Sequence, residues 1–104
     1  FSEIEKMTNF INSRPSGTLC VVQKYIERPL LYKRRKFDIR IWAVMNTKNE
    51  IYFYKQGYLR TSSSEYSLDN SNLYIHLTNQ CLQVKNKEEY GQHEAGNTLS
   101  FEDF

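Results

Sequence analysis

The sequence predicts an α+β fold in which helices pack on an antiparallel sheet, and three stretches carry that reading. Ile4, Met7, Phe10 and Ile11 recur at helical spacing behind Ser2 and Glu5, a capping-box pair, so residues 3–13 are expected to form an amphipathic helix with one face for a sheet. Leu19 to Ile26 is a nearly continuous apolar and β-branched run, the pattern of a central strand covered on both faces. Lys36 to Trp42 alternates strictly between charged and apolar residues, and Asn46 to Glu50 supplies turn chemistry before Ile51 to Lys55, which together predict a β-hairpin.

The alternating stretch organises the rest. Side chains two apart share a face of a strand, so Phe37, Ile39, Ile41 and Ala43 should enter a core while Lys36, Asp38 and Arg40 stand together on the other surface. Two cations flanking one acid suit a polyphosphate or carboxylate ligand. Taken alone, the row is also a good solvated face for an edge strand. If the hairpin arms pair evenly about Lys48, position 60 falls opposite position 36, and Arg60 joins the charged face only through a bulge at Gly57.

The remaining segments follow in order. Pro15-Ser16-Gly17 ends the first helix, and Glu27-Arg28-Pro29 breaks the strand pattern. The basic run Lys33 to Lys36 reads as a solvated loop or as a contact for phosphate or an acidic protein. Thr61 to Asn72 is a serine-rich loop long enough to suggest a functional role. Leu73 to Leu77 reads as a short strand that Gln80 to Gln83 could continue, residues 84–97 as an irregular loop, and Ser100 with Asp103 as another helix start.

Composition sets the outer limits. The 104 residues suffice for one small domain, and 39% hydrophobic with 14% aromatic content lies in the folded range. Phe1 in place of Met, and an end just past a helix start, suggest an excerpt from a longer chain. Fourteen Lys+Arg against twelve Asp+Glu leave a net charge of +2, too little to argue for nucleic acid or a membrane surface. No apolar run approaches the roughly 20 residues that span a bilayer. Cys20 and Cys81 lack metal-ligand spacing and support no disulfide, which fits a reducing compartment.

Several chemistries drop out. No serine sits in a nucleophile elbow beside His76 or His93, four scattered glycines make no Walker-type loop, and the two histidines with Cys20 and Cys81 have no zinc spacing. His76 beside a strand end reads as a hydrogen-bonded structural residue. Eight tyrosines with a basic run leave open a nucleic-acid-binding β domain, but Tyr52 and Tyr54 point one way and Phe53 the other, and no RNA-recognition signature is present.

Four stretches in order resemble the tubulin tyrosine ligase-like enzymes of the ATP-grasp superfamily: Val22 to Leu31 (VQKYIERPLL), Arg35 to Trp42 (RKFDIRIW), Tyr58 to Ser63 (YLRTSS) and His76 to Asn79 (HLTN). Tyr90-Gly91 through Glu94, Gly96-Asn97 and Phe101-Glu102 are similar to the tyrosine ligase itself, whereas Glu27-Arg28-Pro29 and Tyr66-Ser67-Leu68-Asp69 are similar to the glycylating branch. The resemblance implies that residues 1–104 are the middle segment of one ATP-grasp domain, an antiparallel sheet with packed helices. It implies an ATP-dependent ligase that phosphorylates a carboxylate and joins a free amino acid to the acidic C-terminal tail of tubulin, in the cytoplasm on the cytoskeleton or cilium. Gln23, Lys24, Tyr25 and Ile26 would line the adenine pocket, Lys36 would meet phosphate and Asp38 the ribose. Arg40 and Arg60 would serve catalysis by holding the acceptor carboxylate or its acylphosphate, and His76, Thr78 and Asn79 would close the substrate side. The basic run would steer the acidic tail. The family's Mg2+ ligands, a later Asp and a Glu-x-Asn motif, and its earlier phosphate-covering loop do not occur in these residues, so this segment alone is expected to be inactive. A non-catalytic tubulin-binding pseudo-ligase is the alternative from another class.

Overall fold

A computed structural model describes residues 3–104. The first helix, α1 (Ile4–Asn12), lies where the spacing predicts it, with Glu3 at its N-cap making no side-chain capping bond. Ser2, half of the expected capping box, lies outside the described residues. Met7, Phe10 and Ile11 face a groove whose other wall is the extended segment 20–25.

Six short strands follow: β1 (Leu31–Tyr32), β2 (Arg35–Arg40), β3 (Ala43–Met45), β4 (Ile51–Phe53), β5 (Tyr58–Thr61) and β6 (Thr98–Ser100). They form an antiparallel four-stranded sheet in the order β1-β2-β5-β6 and a separate β3-β4 hairpin. The predicted strand through position 45 therefore divides at Ile41-Trp42. In the hairpin Ala43 pairs with Phe53, whereas beyond the break Asp38 pairs with Arg60, so the second arm has gained two residues. An even insertion preserves parity and moves Arg60 from opposite Lys36 to opposite Asp38. Gly57 sits at this shift, and a Cβ there would lie 2.6 Å from the Arg40 carbonyl oxygen and 2.5 Å from the Phe101 ring. Only glycine admits that approach.

The basic run is a solvated turn over its first half alone. Lys33 (φ 46°) and Arg34 (φ 65°) form the tight turn between β1 and β2, a left-handed pair of the kind two-residue hairpins use. Arg35, next in line, is 1% exposed and paired with Glu94 at 2.6 Å. Alternation puts it on the face opposite Lys36, where a loop returns a carboxylate to meet it.

Two further expectations fail for physical reasons. Leu19 to Ile26 is extended but unpaired among the described residues, with Leu19 98% exposed; an apolar run measures the capacity to be covered, and a strand also needs a neighbour for its backbone groups. Leu73 to Leu77 is a helix instead of a strand, α2 (Leu73–His76), because the Asn72 side chain accepts from Tyr74 N–H. Asn79 likewise caps α3 (Gln80–Gln83) through Cys81 N–H. The asparagine caps outweighed the β-branched pattern. Residues 84–97 are irregular as expected, ending in a 3-10 turn at Ala95–Asn97; Ser100 accepts from Asp103 N–H, but it closes β6 and the residues after it form a turn in place of the expected helix.

The core is small and mostly polar. Leu59 and Ile75 are its buried apolar residues among those described, beside Arg35, Thr61, Ser62, Ser63, Gln83 and Asn97. Gln83 accepts from Ser63 N–H (2.9 Å) and donates to the Tyr74 and Leu77 carbonyls, while Asn97 donates to Ser63 Oγ and accepts from Gly91 N–H. The start of the presumed serine loop is thus the best-anchored part of the molecule. The apolar row of β2 lies on the predicted face, as buried Leu59 opposite Ile39 indicates, but it is covered at one end alone. Phe37 packs against Phe104, whereas Ile39 is 55% and Ile41 49% exposed and Ala43 is exposed too. The radius of gyration, 17.3 Å, exceeds the roughly 13 Å of a compact chain this long. No helix among the described residues is long and apolar enough to cross a membrane.

Candidate functional site

Lys36, Asp38 and Arg40 share one face of β2, β5 sets Arg60 directly opposite Asp38, and the α2–α3 segment brings His76 and Thr78 to the same place. Asp38 is the hinge of this group. Arg60 Nε donates to both of its oxygens, at 2.8 and 3.2 Å, and the Thr78 hydroxyl donates to Oδ2. The hydrogen bond to Asp38 is the main cause that holds the Arg60 guanidinium above its usual pKa, against an opposing effect of burial. Because Asp38 engages Nε, both terminal nitrogens of the fork remain available to an anion.

Arg40 is held differently. Its guanidinium lies 5.8 Å from the centre of the Trp42 ring, and it has no ion pair or hydrogen bond among the described residues. Trp42 in turn packs on Tyr54 and Tyr58. An exposed, permanently charged fork on an aromatic shelf is free to take a carboxylate or phosphate.

At the other end Lys36 Nζ donates to the Tyr25 hydroxyl at 3.0 Å and lies 4.8 Å over its ring. The Tyr25 oxygen is 2.8 Å from His76 Nδ1, and His76 Nε2 is 2.5 Å from the Asn70 carbonyl oxygen. A carbonyl can only accept, so Nε2 carries a proton, and in the neutral imidazole Nδ1 accepts from Tyr25. Tyr66 presents its edge to the same imidazole and donates to the Glu27 carbonyl. Beside this cluster opens a cleft of about 880 Å³ lined by Lys6, Tyr25, Glu27, Leu68, Asp69, Asn70, Ser71 and His76.

Of the sequence-predicted residues, Lys36, Asp38, Arg60, His76, Thr78 and Tyr25 are brought together by side-chain bonds, and Arg40 stands beside them on its strand. Gln23 and Lys24 line the groove along α1, and Lys24 and Ile26 border a second cleft. Asn79 adjoins Thr78, but its side-chain oxygen caps α3. Asn70 and Tyr66 were missed as site residues: both lie in the serine loop, whose length hinted at function without saying which side chain returns. The Arg35–Glu94 pair, distant in sequence, left no local signal.

The helix-and-antiparallel-sheet unit thus gathers three cations, one carboxylate and two hydroxyls on one face, an arrangement whose charge suits an anion. The chain belongs to the tubulin-tyrosine ligase family, whose profile matches residues 2–104. It is 45% identical over 85 residues to tubulin glycylase 3A of Drosophila melanogaster, covering 79% of this chain and 9% of that protein. It is 38% identical over 93 residues to tubulin glycylase 3B of Tetrahymena thermophila, covering 86% and 8%. It is 47% identical over 74 residues to human protein monoglycylase TTLL8, covering 69% and 9%. The matched segment thus spans less than a tenth of each of these relatives.

Proposed function

We propose that this chain forms the nucleotide- and acceptor-binding part of an ATP-grasp ligase that adds an amino acid, glycine by the names of its relatives, to the acidic tail of tubulin. The observation that carries the reading is the arrangement of Lys36, Arg40 and Arg60 around Asp38 on one sheet face, in a member of a ligase family. ATP supplies the phosphoryl group that converts an acceptor carboxylate into an acylphosphate. Lys36 meets its phosphates. Asp38 has about four acceptor positions on its two oxygens, three of which Arg60 and Thr78 occupy, which leaves room for one ribose hydroxyl. The side of the segment 23–26 that Tyr25 does not use offers backbone and side-chain contacts to adenine.

Arg40 and Arg60 hold the acceptor carboxylate and then the charge that grows on the acylphosphate. Two fixed guanidinium forks suit this because they need no reorganisation as charge develops. His76, Thr78 and Asn79 border the acceptor side. The amine then attacks the acyl carbon, phosphate leaves with one former carboxylate oxygen, and the amine's surplus proton is lost. A magnesium ion is expected in such an enzyme, yet this chain does not offer it a site: the single carboxylate of the charged face is already engaged, and no three metal-ligating side chains cluster among the described residues.

The mechanism is tested with the full-length ligase and a tail peptide carrying ¹⁸O in its acceptor carboxylate. One labelled oxygen should appear in the released phosphate for each amide formed. Phosphate free of label, with amide still forming, rules the acylphosphate out.

A further inference from the structure

The Tyr25 hydroxyl lies between the residue assigned to the phosphates and the imidazole on the acceptor side. Its oxygen accepts from Lys36 Nζ (3.0 Å), and its proton goes to His76 Nδ1 (2.8 Å), while His76 Nε2–H is fixed on the Asn70 carbonyl (2.5 Å). The imidazole is further confined by the edge-on Tyr25 and Tyr66 rings, at 5.5 and 5.9 Å. Tyr66 is itself tied to the Glu27 carbonyl (2.7 Å), two residues beyond Tyr25. Three separate segments, the extended run before β1, strand β2 and helix α2, thus meet at one phenol.

We propose that Tyr25 is a positioning residue for the ligation: its hydroxyl, oriented by the imidazole whose Nε2–H the Asn70 carbonyl holds, orders the Lys36 ammonium and ties it to His76, so that the phosphate-facing and acceptor-facing groups are held in register. This rests on the ligase reading above and refines it, since the adenine contact then falls to the neighbours of Tyr25 in the segment and not to its phenol. A lysine on a flexible stem has three rotatable donors, and a hydroxyl acceptor that is itself oriented by an imidazole removes much of that freedom.

The test uses the full-length ligase. Tyr25→Phe keeps the ring and removes the hydroxyl; it should lower kcat about tenfold, the size expected for one hydrogen bond to a charged group, with KM for ATP within about twofold. On a His76→Gln background Tyr25→Phe should have much less effect. Wild-type kcat in Tyr25→Phe, a loss confined to KM for ATP, or multiplicative effects of the two changes would each overturn the proposal. A second readout does not depend on turnover: ¹⁵N-histidine NMR of the full-length protein should show His76 as the Nε2–H tautomer, with its Nδ1 resonance shifted in Tyr25→Phe, where the hydrogen bond to that nitrogen is lost. An Nδ1–H imidazole in the wild type, or identical spectra, overturns it. If the unmodified enzyme joins no amino acid to tubulin, the ligase reading fails, and the NMR result alone decides whether Tyr25 is tied to the imidazole.

Discussion

Arg40 and Arg60 stand on paired strands, yet their side chains are held in opposite ways. Arg60 is locked by Asp38, whereas Arg40 rests on Trp42 with its fork free. Replacing Arg40 with Ala should therefore leave stability within about 0.5 kcal/mol while lowering kcat of the full-length ligase by about 10² or more. Melting temperature and turnover measured together check this, and a large loss of stability with normal turnover per folded molecule would reverse the assignment. The charge alternation of β2 made this face readable from sequence, because period-two alternation fixes which side chains are neighbours. The partners of Asp38 were not readable: Thr78 is far along the chain, and the pairing with Arg60 depended on how many residues the second hairpin arm gained.

At the scale of elements, the loop 84–97 and the segment 61–63 are fastened by buried polar groups. Burial pushes the Glu94 carboxyl up, but its hydrogen bonds from Arg35 and Thr61 and the Arg35 charge outweigh this and hold it below its usual value of 4.5. A depressed folded-state pKa contributes stability that is fully present above the unfolded value and lost as pH falls through the folded one. Acid unfolding should accordingly begin below about pH 4.5. Glu94→Gln should flatten that acid limb and cost about 3–5 kcal/mol at neutral pH by stranding Arg35, which denaturation of the full-length protein at several pH values measures. Gly57→Ala brings a carbon 2.6 Å from the Arg40 carbonyl oxygen, so it should destabilise by about 1–3 kcal/mol and disturb Arg40 as well. A neutral result from both measurements would mean that the strand break relaxes freely. Helix α1 and the β3-β4 hairpin were legible because periodicity and turn residues agree there. Helix α2 was not, since a four-residue element is decided by its Asn72 cap more than by the apolar pattern.

For the whole molecule, the buried apolar core reduces to Leu59 and Ile75 among the described residues, while Leu19, Val21, Ile26, Ile39 and Ile41 are exposed. The sequence announced these side chains as core, and their chemistry justified it; what sequence pattern does not carry is whether the covering surface lies within the same residues. The matched segment spans under a tenth of the three relatives named above, and an open 17.3 Å radius of gyration fits a unit that is completed by further chain. The isolated segment should therefore expose apolar surface, bind a hydrophobic dye and lack a sharp thermal transition. A cooperative melt with no dye binding would show instead that the small polar core suffices.

The most direct measurement is incorporation of labelled glycine, tyrosine and glutamate into purified tubulin by the full-length ligase, with and without ATP, alongside Arg40→Ala and Arg60→Ala. The account predicts ATP-dependent incorporation of glycine, lost in both variants. No incorporation of any label, with tubulin binding retained, would contradict it and make the charged face of β2 and β5 a binding surface without catalysis.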